Sequence, residues 1–159
     1  MASGQRPTND SGKIIVKDLE FEVVEDDIEP PPPNLTSKFK TLQDWLLNIC
    51  DKDKPGKPIA TYKFGLFESP NDNTLVLVGV NTYDEGKYRS INRIEFEPKN
   101  MYFKLPKTYY ESLNREQLLD TLASQLKDFA KTEKFKNSFF TKASVVVFET
   151  NGQTIWSKH

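Results

Sequence analysis

Residues 59–84 read Ile-Ala-Thr-Tyr-Lys-Phe-Gly-Leu-Phe-Glu, then Ser-Pro-Asn-Asp-Asn, then Thr-Leu-Val-Leu-Val-Gly-Val-Asn-Thr-Tyr-Asp. Two runs rich in β-branched and aromatic residues around a cluster of turn formers predict a β-hairpin. In the first run Tyr62, Phe64 and Leu66 alternate with Thr61, Lys63 and Gly65, which gives it one apolar face. The second run is apolar almost throughout positions 75–80. A strand of that kind is buried on both sides and central to its sheet. The rest of the chain is expected to pair with this hairpin or to pack on it.

What the chain lacks narrows its chemistry. At 159 residues it fits one domain with a sizeable core. One cysteine, Cys50, excludes an internal disulfide and a cysteine-based zinc cluster, and the lone histidine, His159, removes most histidine catalysis and histidine metal sites. The seven glycines are isolated, with no G-x-G-x-x-G and no P-loop among them. No apolar run approaches the roughly 20 residues needed to span a bilayer, and the N-terminus lacks a secretory pattern. The expectation is a cytoplasmic protein with no metal and no cofactor.

In chain order, residues 1–12 suggest a flexible lead-in. Ile15, Leu19, Phe21 and Val23 face away from Asp18, Glu20 and Glu22, which predicts a half-buried strand. Pro30, Pro31, Pro32 and Pro33 follow as a polyproline II connector. Residues 1–37 therefore divide, as an acidic strand and proline-rich connector, from a single domain over 38–159. Up to Pro33 the net charge is −5 against −1 for the whole chain, leaving +4 for the remainder. The acidic segment is either solvated or laid over a basic surface.

Thr41, with Asp44 three residues on, caps a helix whose stripe is Leu42, Trp45, Leu46 and Ile49. Cys50 adjoins that stripe and reads as a structural thiol, because no internal histidine could activate it. An irregular run over 90–97 and a short one over 101–105 supply further strands, the latter bounded by prolines and so near an edge. Asn114 and Gln117 form a capping box for a second helix with Leu118, Leu119, Leu122, Leu126 and Phe129 on its core face. A short third helix would place Phe135 and Phe139 one turn apart. Asn151-Gly152 between two β-prone runs signals a closing hairpin. The expected class is α+β: a mostly antiparallel sheet of about six strands, carrying two long helices and one short one.

Candidate chemistry is sparse. Glu95 and Glu97 would share one strand face about 7 Å apart, a spacing compatible with a carboxylate-dependent hydrolase but met by nearly any Glu-x-Glu strand. Basic and aromatic residues mingle after Pro98, with a local charge of +4. The phenylalanines fall at core spacings, so nucleic acid is not the expected partner.

The segments Tyr62-Lys-Phe-Gly-Leu-Phe-Glu-Ser, Ile94-Glu-Phe-Glu-Pro-Lys-Asn, and Gln125-Leu-Lys-Asp-Phe through Phe135-Lys-Asn-Ser-Phe resemble small bacterial proteins of the polymorphic-toxin immunity type. The resemblance runs over about 42–156, outside the acidic start. It implies a non-catalytic cytoplasmic protein that binds and neutralises one cognate toxin, with a nuclease as a candidate and no membrane partner. Against a basic nuclease groove, acids flanking the hairpin and third strand would form the contact surface: Glu68, Asp72, Asp84, Glu85, Glu95 and Glu97. The alternatives are a general protein-interaction or scaffold domain using the proline segment, and, behind it, the hydrolase.

Overall fold

The computed structural model describes residues 14–16, 21–36, 38–70 and 72–158, with the backbone alone described at 14–16 and 21. In chain order the elements are β1 (Ile14–Val16), β2 (Phe21–Glu25), α1 (Leu42–Lys52), β3 (Thr61–Glu68), β4 (Asn73–Asp84), β5 (Arg89–Phe96), β6 (Tyr102–Lys104), α2 (Arg115–Ala130), α3 (Glu133–Lys136), β7 (Val145–Phe148) and β8 (Gln153–Ser157). The strands form one sheet in the order β1-β2-β5-β4-β3-β7-β8, with β6 beside β4.

The α+β class stands, but the sheet is larger and more mixed than the sequence suggests. Eight strands are described, and two junctions are parallel, β2 with β5 and β3 with β7. The single strand expected from Ile15 to Val23 is instead an antiparallel pair, with Ile14 opposite Val23. Asp18, Leu19 and Glu20 of that expectation, and the lead-in over 1–12, lie outside the described residues.

β4 is central, as its unbroken apolar run requires. Residues 74–80 are all buried. Successive side chains point to opposite faces, so Leu75 and Leu77 enter one cluster and Val76, Val78 and Val80 another. The helices cover the first face. On the second, Ile28 packs against the valines together with Phe67, Ile94, Met101 and Tyr102. The segment after β2 is held there by the Ile94 amide, which donates to Asp26 Oδ2 (2.9 Å), and by the Tyr102 hydroxyl, which donates to the Glu29 carbonyl (2.6 Å).

The helices begin where their caps lie. Thr41 Oγ1 accepts from the Asp44 amide at 3.0 Å, and the stripe Leu42, Trp45, Leu46 and Ile49 is buried. In α2 the Gln117 amide donates to Asn114 Oδ1 (2.8 Å) and the Asn114 amide to Gln117 Oε1 (3.0 Å), closing the reciprocal box. Caps of this kind contribute about 1 kcal/mol each. The aromatic core joins the layers. Trp45 stacks on Phe103 at 5.5 Å, and its indole N–H donates to the Asn100 carbonyl at 2.7 Å.

The expected Phe135–Phe139 pair is replaced by Phe135–Phe140, stacked at 5.2 Å. The chain leaves α3 at Asn137 and turns again over Phe139–Lys142. That turn sends Phe140 inward and leaves Phe139 half-buried beside Tyr62 and Phe96. At β7–β8 the hairpin expected from Asn151-Gly152 is present, but Glu149–Asn151 form a tight helical turn before Gly152, whose φ of +69° is the left-handed region glycine favours.

Gly79 marks a β-bulge. It pairs with Phe96 while Val80 pairs with Ile94, which leaves Glu95 as the extra residue on β5. A Cβ at Gly79 would sit 2.9 Å from both Ile59 Cγ2 and Phe96 Cβ. Gly79→Ala should therefore lower stability by about 1–3 kcal/mol, the usual cost of overpacking. Urea unfolding checks this, with Gly65→Ala as the control. At Gly65 the nearest atom to a Cβ would be 3.5 Å away, an ordinary contact, so an equal loss in both variants would remove the packing argument.

Candidate functional site

The turn between β4 and β5 lies beside β2, whose Glu22 amide donates to the Tyr88 carbonyl at 2.7 Å. The Glu85 amide donates to the Arg89 carbonyl at 2.8 Å, and Gly86, with φ +105°, makes the reversal. Tyr83 and Tyr88 flank this turn with 42% and 53% of their surface exposed, the most exposed large hydrophobic side chains among the described residues. The Tyr83 hydroxyl donates to Glu95 Oε1 at 2.6 Å, which fixes its ring. Lys87 Nζ lies 5.5 Å from the centroid of the Tyr88 ring. Arg89 bridges the turn to β2, 3.2 Å from Glu22 and 3.6 Å from Glu85. The result is a braced finger carrying two aromatic rings, Asp84 and Glu85.

The six candidate acids do not form one patch. Glu68 and Asp72 lie at the β3–β4 turn, whereas Asp84 ends the 12-residue β4 and Glu85 follows it, roughly 35–40 Å away by strand rise. Glu68 Oε1 receives Arg115 Nε at 2.8 Å, and Asp72 lies 3.3 Å from Lys104 Nζ. Asp84 and Glu97 are exposed and have no ion pair among the described residues.

Glu95 and Glu97 do not act as a pair, because the bulge breaks the two-residue alternation on which that idea rests. Phe96 packs with the helix-side core, while the pKa of Tyr102, on the opposite face, is raised by burial first, then by Glu29 and by Glu97. Glu95 is committed to holding the fold. It accepts from Tyr83 and, at 2.8 Å, from Asn81 Nδ2, and lies 3.3 Å from Lys57 Nζ. Asn81 in turn accepts the Ala60 amide and donates to the Pro58 carbonyl, tying the loop before β3 to β4.

The Tyr83 and Asn81 hydrogen bonds, aided by Lys57, hold the Glu95 carboxyl well below its ordinary value, at about 2. A depressed acid contributes stability that is complete above the unfolded pKa, 4.5, and fades as pH falls toward 2. Tm should fall as pH is lowered from 5 to 2.5, and Glu95→Gln should be less stable at pH 7 with a flatter profile over that window. Parallel profiles for the two proteins would show that Glu95 is not the group responsible.

Two features escaped the sequence reading. The first is the exposure of Tyr83 and Tyr88, since alternation alone puts tyrosine in a core as readily as on a rim. The second is what the acidic N-terminal segment touches: Glu22 pairs with Arg89, and Glu25 Oε2 lies 3.6 Å from Lys63 Nζ. Part of that segment is therefore laid on basic side chains of the sheet. There Asp26, Asp27, Lys63 and Glu149 help to line a cleft of about 330 Å³. The Cys50 thiol is pushed up to about 11, chiefly by burial, and stays protonated. Among the described residues no group of three or more His, Cys, Asp or Glu could hold a metal ion, and no helix is long and apolar enough to cross a membrane.

No family model matches the chain, and no solved structure matches it. A stretch of 58 residues, 36% of the chain, is 43% identical to the short chain dehydrogenase ple7 of Rhodocybe pseudopiperita. The chain covers 22% of that curated relative's length. Dinucleotide-binding folds cradle the cofactor in a glycine-rich turn between strand and helix of a βαβ unit. This chain has no G-x-G-x-x-G run, and each of its parallel junctions joins strands separated by several other elements.

Proposed function

We propose that the chain is an immunity-type protein that binds a cognate bacterial toxin domain in the cytoplasm and blocks it without catalysis, with the β4–β5 turn at the centre of the interface. The observation that carries this reading is the pair of exposed tyrosines beside Asp84 and Glu85. Aromatic side chains dominate the energetics of protein interfaces, and a braced turn presents them with little ordering cost. Glu85 is offset by Arg89 at 3.6 Å, so on this turn Asp84 is the acid left to favour a basic toxin groove. The resemblance of residues 42–156 to toxin-immunity proteins gives the class of partner.

The proline segment favours this reading over the scaffold alternative. The Tyr102 hydroxyl engages the carbonyls of Glu29 and Pro30 at 2.6 and 3.4 Å, so one side of the segment is taken up by the chain's own sheet. Co-expression of the chain with the toxin-like product of a neighbouring gene tests the proposal. Growth rescue together with co-purification is the expected result. Absence of any tight, growth-rescuing partner would sink it. A partner lost when Pro30, Pro31, Pro32 and Pro33 are replaced by serine, but kept when the tyrosines are changed, would point to the scaffold reading.

A further inference from the structure

A cavity of about 500 Å³ lies between the C-terminal end of α1, the loop over 53–59 and the turn that follows α3, and is linked to the proposed toxin contact through Lys57, which lies 3.3 Å from the Glu95 carboxylate that Tyr83 bonds. Ile59, Tyr62 and Phe139 line its apolar side, and Lys54, Lys57 and Lys142 its basic side. Lys57 is taken by Glu95. Lys54 and Lys142 are exposed and have no ion pair among the described residues. Ligand pockets commonly combine this size with apolar walls and a few polar groups.

Two polar groups on the wall lack partners. Tyr62 is 2% exposed as a residue, and its hydroxyl, which makes no hydrogen bond to the described residues, is not one of the fully buried unpartnered atoms. Burial alone raises its pKa. Asp53 Oδ1 accepts the Lys99 amide at 2.8 Å, but Asp53 Oδ2 is buried with no partner. A buried polar atom left unpaired is costly and rare in native structures, so such groups call for an occupant. Asp53 Oδ2 is such a group, and both Asp53 and Tyr62 belong to the lining of this cavity.

We propose that this cavity binds a small organic anion with an apolar body and an N–H or O–H donor. The body lies on Ile59 and Phe139, the anionic group meets Lys54 and Lys142, the donor reaches Asp53 Oδ2, and the Tyr62 hydroxyl donates to an acceptor on the ligand. The Cys50 thiol on the same wall stays protonated, so binding is non-covalent.

The probe 8-anilinonaphthalene-1-sulfonate has all three features and brightens in apolar surroundings. Titrated against the full chain, it should show one saturable site, with amide NMR shifts concentrated at Cys50, Ile59 and Phe139. Lys54→Glu combined with Lys142→Glu should weaken binding at least about 10-fold, equivalent to about 1.4 kcal/mol. Tyr62→Phe should weaken it a few-fold, Asn137→Trp should fill the mouth and abolish it, and Lys136→Glu, outside the cavity, should change nothing. Unchanged amide spectra away from the cavity show that each variant is folded. No saturable binding, shifts centred on Tyr83 and Tyr88, or unaltered affinity after the double charge reversal would overturn the proposal and leave water as the partner of Tyr62 and Asp53.

Discussion

Replacing Phe140 with alanine should lower the free energy of unfolding by about 3–5 kcal/mol, the range for truncating a buried phenylalanine or tryptophan. Phe140 is fully buried and touches four other rings: Phe139 at 4.7 Å, Tyr62 at 5.1 Å, Phe135 at 5.2 Å and Phe64 at 6.3 Å. Those rings come from β3, α3 and the turn after it, so the cavity left behind would open between layers that cannot all collapse into it. Against a total stability of roughly 5–15 kcal/mol for a domain, the loss would shift the urea midpoint strongly. Phe139→Ala, at a half-buried ring, should cost less. A loss below about 1 kcal/mol for Phe140→Ala would mean that the aromatic cluster is not the joint between sheet and helices.

Tyr83→Ala and Tyr88→Ala should each weaken binding of the cognate toxin by about 2 kcal/mol, roughly 30-fold, with the double variant losing growth rescue. Tyr88 is 53% exposed, so its truncation should change stability little, whereas Tyr83→Ala also removes the hydrogen bond to Glu95 and should lower stability as well as affinity; circular dichroism melting separates the two effects. Tyr83→Phe is the informative partner variant. It keeps the ring but removes the hydrogen bond to Glu95, so it should retain most of the affinity while relaxing the depressed Glu95 pKa. Full rescue by the double alanine variant would move the interface elsewhere.

Local rules carried the sequence reading a long way. Thr41 and Asn114 begin their helices because a side-chain oxygen beside the first turn satisfies an otherwise orphaned amide, and the leucine stripes follow at helical spacing. The central position of β4 follows from six nearly uninterrupted apolar residues. What could not be read depends on partners far away in sequence. β2 and β7 lie parallel to β5 and β3 through contacts no local pattern encodes. The Gly79 bulge arises where Ile59, Phe96 and Tyr62 converge on one backbone position. It reverses the alternation on which the Glu95–Glu97 pairing depended. Of the acids proposed as a contact surface, Asp84 and Glu85 sit beside the exposed tyrosines, whereas Glu68 and Asp72 lie at the far end of β4. Nothing in the residue types distinguishes the two ends.

The parallel junction of β3 with β7 has a consequence during synthesis. Thr61 is paired with Val145, 84 positions later in the chain. At about 5–20 residues per second, a ribosome needs roughly 4–17 s to bridge that interval. Throughout it, one margin of β3 offers bare amides and carbonyls beside apolar side chains, a template for strands of other chains. The nascent protein is thus vulnerable to self-association until β7 is made, and chains released after Lys142 should sediment as aggregates where chains that include β7 and β8 stay in the supernatant. β7 and β8 act as the closing seam of the sheet.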